Sequence, residues 1–406
     1  MLRLVSLCGI AVMLALCFAL SNNRRAINWR LVGTGLVLQA ILGLTFLYWS
    51  GGNAALQKFG DGVERFLKLS LKGNVFVFGE LAKSDKLGFV FAFQILPTLI
   101  FFSSVMAVLY HLGVMQVIVR AMAWVMVRLM GTSGSESLSA CANVFVGQTE
   151  APLLIRPFLK NMTMSELHAI MVGGFATIAG GVFALYVGVG IAAGHLMVAS
   201  VMAVPAGLIC TKMLWPETEQ SHTMGKVAKI ETDVYGNVVE AAAAGAGDGL
   251  KLALNVGAML IAFLGLVAVL DWLLEFLPWG WSVKSILGVV FWPIAAVMGV
   301  PFHEVPVLAQ LLGTKIAATE LVAYSDLGPM IQQHAITPRT AMIASFALCG
   351  FANVGSVAIQ VGGLGALAPE RRGDLAKLGL RAMFGGAIAT CMTACVAGVL
   401  ASEGPA

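Results

Sequence analysis

Eight stretches of this chain are long, apolar and poor in charge, and nothing else limits its folding as strongly. They are residues 4–20, 31–50, 88–113, 167–190, 195–214, 241–277, 342–367 and 378–400. A helix rises about 1.5 Å per residue, so roughly 20 apolar residues cross the hydrocarbon core of a bilayer. Lipid offers backbone groups no hydrogen bonds, so runs of this length must cross as helices. The composition agrees: 59% of the residues are hydrophobic and 11% charged, with a mean hydropathy of +0.88, where a soluble domain carries about 25% charged residues. The expected class is an all-α integral membrane protein. Residues 4–20 also have the length of a signal peptide. No small-x-small cleavage pattern follows, and the next residues are Ser21, Asn22, Asn23, Arg24 and Arg25, which favours a retained span.

Two further stretches mix charge with apolar residues. Residues 51–86 place Lys58, Asp61, Glu64, Arg65, Lys68 and Lys72 among Phe59, Phe66, Leu67 and Leu71. Residues 114–130 carry Arg120 and Arg128 in an apolar setting. Both read as amphipathic helices lying at the membrane surface. Basic residues also cluster after the first span, within 212–229 and within 371–377. By the positive-inside rule this pattern puts both termini on the outer side of the membrane. The stretch 51–86 is basic on the outer side, and its acids and amphipathic character offset that exception. A net charge of +4 with no long basic run argues against nucleic acid as a partner. The 7 cysteines are scattered and none forms a Cys-x-x-Cys pair, so neither a metal site nor a disulfide framework is expected. Cys391 and Cys395 share a helix face and read as packing residues.

Polar residues inside the apolar sequence carry the functional signal, because each is costly in lipid unless paired or wetted. Asn143, Gln148, Thr149 and Glu150 fall within eight positions of residues 133–161, a segment punctuated by Gly147, Pro152 and Pro157. It reads as a re-entrant hairpin, two short helices meeting near Val146-Gly147-Gln148, since broken helices are tolerated at membrane depth only when buried in protein or lining a cavity. Thr319 and Glu320 mark a second hairpin within residues 301–330. The full expectation is about eight transmembrane helices, two re-entrant helical hairpins and interfacial helices. Gly173, Gly174, Gly180 and Gly181 in one span permit either local unwinding or close helix packing. Gly350, Gly355, Gly362 and Gly363 interrupt another.

The two halves also match each other. Gly174-Phe175-Ala176-Thr177-Ile178 aligns with Gly350-Phe351-Ala352-Asn353-Val354, and each follows a Thr-Glu pair, Thr149-Glu150 and Thr319-Glu320. Such paired, glycine-interrupted segments mark the inverted internal repeats of secondary transporters, whose substrate site lies at the repeat interface. The corresponding division is scaffold and interfacial helices in 1–130, a first transport half in 131–215, a cytoplasmic loop and long scaffold helix in 216–284, and a second transport half in 285–406.

No His-Glu-x-x-His, P-loop or Gly-x-Ser-x-Gly motif occurs, so an intramembrane enzyme is disfavoured. A passive pore would give uptake indifferent to ion gradients. The polar inventory suits a neutral polar solute. Gln148 offers donor and acceptor on one planar amide, which matches the edge of a nucleobase or another amide-bearing ring. Glu320 can accept two hydroxyl hydrogen bonds, as a diol requires. Asn353 and Ser356 share a face if the helix persists there. Val182 and Phe351 offer apolar surface to a ring. Lys315 and Arg156 are the few cations near these clusters. For a coupling ion, Asn143 with the carbonyl of Val146, and Thr177 with the carbonyl of Ile178, could cage Na⁺. Protonation of Glu150 or Glu320 is the competing mechanism.

These residues also carry a resemblance. Asn-Val-Phe-Val-Gly-Gln-Thr-Glu-Ala-Pro-Leu-Leu-Ile-Arg-Pro (143–157), Gly-Thr-Lys (313–315), Glu-Leu-Val-Ala-Tyr (320–324), Gly-Phe-Ala-Asn-Val-Gly-Ser (350–356) and Gly-Gly-Leu-Gly-Ala-Leu-Ala-Pro-Glu-Arg-Arg (362–372) resemble the concentrative nucleoside transporter family in its bacterial form. The resemblance implies import of nucleosides such as uridine, coupled to Na⁺ or, as in some relatives, H⁺, with no other cofactor. It implies a homotrimer in membrane lipid, working by an elevator-type movement of a transport domain against a scaffold. It assigns Gln148, Thr149 and Glu150 to the base, with Val182 and Phe351 against its face. It assigns Glu320, Asn353 and Ser356 to the ribose, and Asn143, Val146, Thr177 and Ile178 to sodium.

Overall fold

The computed structural model describes residues 1–83, 90–225, 235–276 and 280–401. Some expected features lie outside the described residues: Lys86 at the end of the amphipathic stretch, Gly88 at the start of the third span, residues 226–229 of the basic loop, and Leu277 at the end of the sixth span. Among the described residues the regular elements are helices. Seven helical segments among the described residues are long and apolar enough to cross a membrane: Leu2–Ala19, Trp29–Tyr48, Phe91–His111, Met164–Gly188, Ala193–Leu214, Val238–Glu275 and Pro369–Leu400. The seventh expected span, 342–367, is split into Pro338–Leu348 and Val354–Leu367, each shorter than a full crossing.

In chain order, α1 is Leu2–Ala19 and α2 is Trp29–Gly43, started by Asn28, whose side chain accepts from the amides of Arg30 and Leu31. The amphipathic stretch forms one helix, α3, Ser50–Phe78. Leu96–His111 is α4 and Val114–Met130 is α5. The first hairpin comprises α6, Gly134–Ala142, and α7, Arg156–Leu159. A broken span follows as α8, Met164–Ala176, and α9, Gly180–Gly188. Then come α10, Ala193–Leu214, α11, Val238–Glu275, and α12, Val283–Ala296. The second hairpin is α13, Val305–Ala317, and α14, Glu320–Gln332. The second broken span is α15, Pro338–Leu348, and α16, Val354–Leu367, and α17, Arg372–Leu400, closes the chain.

Burial divides these helices into two sets. The most apolar stretch of Met164–Gly188 is 89% buried, and those of Ala193–Leu214 and Pro369–Leu400 are each 78% buried. For Val238–Glu275 the share is 6%. A helix apolar on every side yet exposed within its own chain needs lipid or another protein surface around it. The α11 helix packs closely on α4 through small residues. A Cβ on Gly245 would stand 2.6 Å from the Ser103 carbonyl oxygen, and one on Gly249 2.7 Å from that of Leu99. Ser104 Oγ donates to the Ala242 carbonyl at 2.9 Å across the same seam. Small residues one turn apart let the backbones approach, which is how helices associate where the hydrophobic effect offers no drive.

A buried polar clasp fixes the entry of the first hairpin. Capping boxes, Ser133 with Glu136 and Thr163 with Glu166, start α6 and α8. Lys212, at the end of α10, reaches both starts: its Nζ lies 2.8 Å from Glu136 Oε2 and donates to Ser165 Oγ at 2.9 Å. Glu217 Oε2 lies 3.3 Å from the same nitrogen. Ser221 Oγ donates to Glu166 at 2.6 Å, so residues after α10 strap over the clasp.

Candidate functional site

Each hairpin turns where helix geometry fails. Asn143 ends α6, and residues 143–150 form the turn. The return arm differs from the expected second α-helix. It begins as a 3-10 helix, Ala151–Ile155, and only four residues, Arg156–Leu159, are α-helical. Pro152 and Pro157 lack the amide hydrogen that an α-helix interior requires, and both sit in first turns, where none is needed. In the second hairpin Ala318 has φ −106° and ψ −97°, and Thr319 restarts the helix by accepting from the Val322 amide. Glu320 thus becomes the first residue of α14, where the helix dipole favours a carboxylate.

The two broken spans cross at their breaks. The first unwinds at Thr177, in an extended conformation, and restarts at Gly180. Gly173 and Gly174 remain helical, so of the two readings close packing holds for them. The second break holds Gly350 at φ +121°, a backbone conformation that L side chains rarely adopt. A Cβ there would also come within 2.5 Å of the Phe175 carbonyl oxygen. The matched Gly-Phe-Ala segments of the repeat therefore touch.

Glu320 is the centre of one polar group. It is 4% exposed. The Tyr186 hydroxyl donates to its Oε1 at 2.8 Å, and Asn353 Nδ2 donates to its Oε2 at 3.0 Å. Asn353 does not share a helix face with Ser356 as the spacing suggested. It is the N-cap of α16, and its Oδ1 accepts from the Ser356 amide at 2.8 Å. The helix begins after Asn353, because the cap supplies the partner that the first turn lacks. Tyr186 was not legible as part of the group, although Val182, one helical turn before it on α9, was. The i, i+4 relation to Val182 was the available signal.

Gln148 belongs to a second group. Its Oε1 accepts from Gln360 Nε2 at 2.9 Å, and the same nitrogen donates to the Met171 carbonyl at 3.1 Å. Gln360 also escaped the sequence reading. It stands one turn beyond Ser356, so Ser356, Gln360 and Gly363 line one side of α16 below the Asn353 cap. The Thr149 methyl lies beside Gly363, where a Cβ would be 2.9 Å away. Val182 is buried, Phe351 is half-buried, and Glu150 stands exposed at the hairpin tip. Lys315 is turned to other work: its Nζ donates to the Ala347 carbonyl at 2.9 Å and to Thr390 Oγ1 at 3.1 Å. Arg156 is exposed.

A third set is rich in unpaired oxygen. Asn143 Nδ2 donates to the Ser139 carbonyl at 3.0 Å, and Asn143 Oδ1 is buried with no partner among the described residues. Thr177 Oγ1 donates to the Gly173 carbonyl at 2.8 Å, so its lone pairs remain free. Among the described residues the carbonyls of Val146 and Ile178 accept no hydrogen bond. A cation satisfies such acceptors, and a neutral protein donor does not serve them here. Two hollows, of about 400 and 380 Å³, lie elsewhere, beside Trp292 and Gln310 and beside Glu64 and His195.

Discontinuous helices and hairpins meeting around buried polar groups, inside a shell of exposed apolar helices, define a multi-pass membrane carrier. Sequence and structure comparisons agree on which kind. Residues 8–81 match the model of the Na⁺ dependent nucleoside transporter N-terminus, 92–193 the nucleoside recognition gate, and 195–398 the Na⁺ dependent nucleoside transporter C-terminus. An uncharacterized transporter of Haemophilus influenzae is 44% identical, over 99% of each chain. Sodium/nucleoside cotransporter 1 of Homo sapiens is 42% identical over 98% of this chain and 64% of its own length. CNTnw in an inward-facing substrate-bound state superposes with a TM-score of 0.93 at 42% identity, covering 98% of this chain and 99% of that one. The chain belongs to the Na⁺ dependent nucleoside transporter family, a family of carriers and not of enzymes.

Proposed function

We propose that this protein imports nucleosides such as uridine across a bacterial inner membrane, driven by the sodium gradient. The observation that carries this reading is the Glu320 carboxylate, buried and held on each oxygen by a donor from a different element. Fixed in this way, it offers its remaining lone pairs to a vicinal diol, and Asn353 and Ser356 stand beside it for the same ribose. Gln148, Thr149 and Glu150 on the hairpin tip face the base, with Val182 and Phe351 against its ring. The α16 helix sets the spacing, since Ser356 and Gln360 are one turn apart and the base-side amide bonds to the latter.

Sodium binds to Asn143, Val146, Thr177 and Ile178. The buried, unpartnered Asn143 Oδ1 supports this assignment, since an orphan acceptor in a dry interior costs about 1–3 kcal/mol unless something fills it. Asn143 also terminates the helix that leads into Gln148, so ion binding orders the turn that meets the base. The names of the relatives, sodium/nucleoside cotransporters, point to the same ion.

The buried helices α8, α10 and α17 move with both hairpins as a transport domain, spanning residues 131–215 and 285–406. The exposed α1, α2, α4 and α11 belong to the scaffold regions 1–130 and 216–284. The movement is of elevator type, in a homotrimer whose termini face the periplasm. Uptake of labelled uridine into proteoliposomes tests the whole reading. Accumulation with an inward sodium gradient, and none with a proton gradient, is the expected result. Accumulation with the proton gradient alone would overturn the sodium assignment.

A further inference from the structure

Gln360 is 1% exposed, and the proposed base contacts do not include it. Its amide orientation is set by its partners. The Met171 carbonyl can only accept, so the Gln360 group that faces it is the NH₂. That nitrogen carries two hydrogens, and the second points at Gln148. The Gln148 atom opposite must then be its carbonyl oxygen. A half-turn of the Gln148 amide would set NH₂ against NH₂.

The other end of the Gln148 amide is free. Its Nε2 makes no hydrogen bond among the described residues, and it keeps accessible surface. The contact is also tightly enclosed. A Cβ on Gly174 would lie 2.5 Å from Gln360 Nε2 and 2.8 Å from Gln148 Cβ, so the pair fits only against a glycine. Enclosure on one side and freedom on the other make Gln148 a one-way reader.

We propose that Gln360 is a positioning residue that sets nucleobase selectivity: it fixes the Gln148 carboxamide so that the transporter presents NH₂ to the base and reads a hydrogen-bond acceptor there. The inference rests on the proposed role of Gln148 at the base. With Gln360 removed, the amide can turn and offer either end. Bases that differ in donor and acceptor pattern then become closer in affinity. The ribose contacts, anchored at Glu320 and Asn353, are held by other partners.

The test uses the full-length protein in proteoliposomes, with Gln360→Met and Gln360→Asn, the second keeping an amide that is too short to reach Gln148. Thermal melting of each variant checks folding. Competition against labelled uridine is measured for cytidine, adenosine and inosine, which vary the base, and for 2′-deoxyuridine and 3′-deoxyuridine, which vary the sugar. The expected result is that ratios between bases shrink by roughly tenfold, the scale of one hydrogen bond, while sugar ratios stay as in the unsubstituted protein. In a Gln148→Ala background Gln360→Met should then change the base ratios no further. Base ratios that stay fixed in both variants would overturn the inference. So would base and sugar ratios that move together, which marks general distortion, or an effect that persists without Gln148. Absence of nucleoside uptake by the unsubstituted protein would instead remove the underlying function, and the inference with it.

Discussion

Tyr186 donates its hydroxyl to Glu320 Oε1 at 2.8 Å across 134 positions of sequence. The donor sits on the broken span of the first half and the acceptor at the start of the second hairpin arm. The pair joins the two repeats at the residue proposed to hold the ribose. The Tyr186 ring also packs on Tyr324, with centroids 4.6 Å apart, and Tyr324 in turn donates to the Ser345 carbonyl at 2.8 Å.

Tyr186→Phe keeps the ring packing and deletes the donor. A hydrogen bond to a charged group contributes about 1.5–3 kcal/mol. The carboxylate then loses one of its two fixed orientations, and the KM for uridine should rise by about tenfold with little change in melting temperature. An unchanged KM in initial-rate uptake would separate Tyr186 from substrate binding.

Glu320→Gln is the sharper test of the ribose assignment. The amide keeps the shape but can accept through only one oxygen, so it cannot serve Tyr186, Asn353 and a diol together. Uptake of uridine should fall by about a hundredfold or more, because a site built for hydroxyls leaves unpaired groups when the match fails. Glu320→Ala should abolish uptake while a folded protein remains. Normal uridine uptake by either variant would take Glu320 out of the site.

Thr177→Ala and Asn143→Leu address the ion. Each removes an oxygen from the set proposed to hold sodium and leaves Gln148 and Glu320 in place. The sodium concentration for half-maximal uptake should rise several-fold or more, while the uridine KM at saturating sodium moves less. Sodium activation curves that coincide with that of the unsubstituted protein would sink the cage.

Lys212→Met tests the clasp. It leaves Glu136, which is fully buried, without the cation 2.8 Å away. Breaking one side of a buried pair costs about 3–5 kcal/mol. Melting of the detergent-solubilised protein should drop accordingly, and adding Glu136→Gln should recover much of the loss. Equal melting of Lys212→Met and the unsubstituted protein would show the clasp to be unimportant for stability.

Much of the helical plan was legible because hydrophobic length acts locally. Residues 114–130 formed a helix with those bounds, and the stretch beginning at 51 formed the long helix α3. The hairpins were legible because Asn143, Gln148, Thr149 and Glu320 are polar where lipid tolerates nothing polar without a purpose. The nature of each break was less so. Gly173 and Gly174 invited an unwound segment, yet the chain opens at Thr177, and Gly174 instead makes room for Gln148 and Gln360. Asn353 looked like a face-mate of Ser356 and proved to be its cap.

By itself, the sequence determined the class: the apolar runs demand membrane-crossing helices, and the polar residues within them must be buried together. Only the tertiary structure decided which of those atoms meet. Tyr186 and Gln360 look like ordinary helix residues until packing brings them to Glu320 and Gln148, the latter pair being 212 positions apart. The reason is physical. Whether a segment enters a membrane depends on a sum over neighbouring residues, whereas a hydrogen bond depends on a few tenths of an ångström set by every helix packed between its partners.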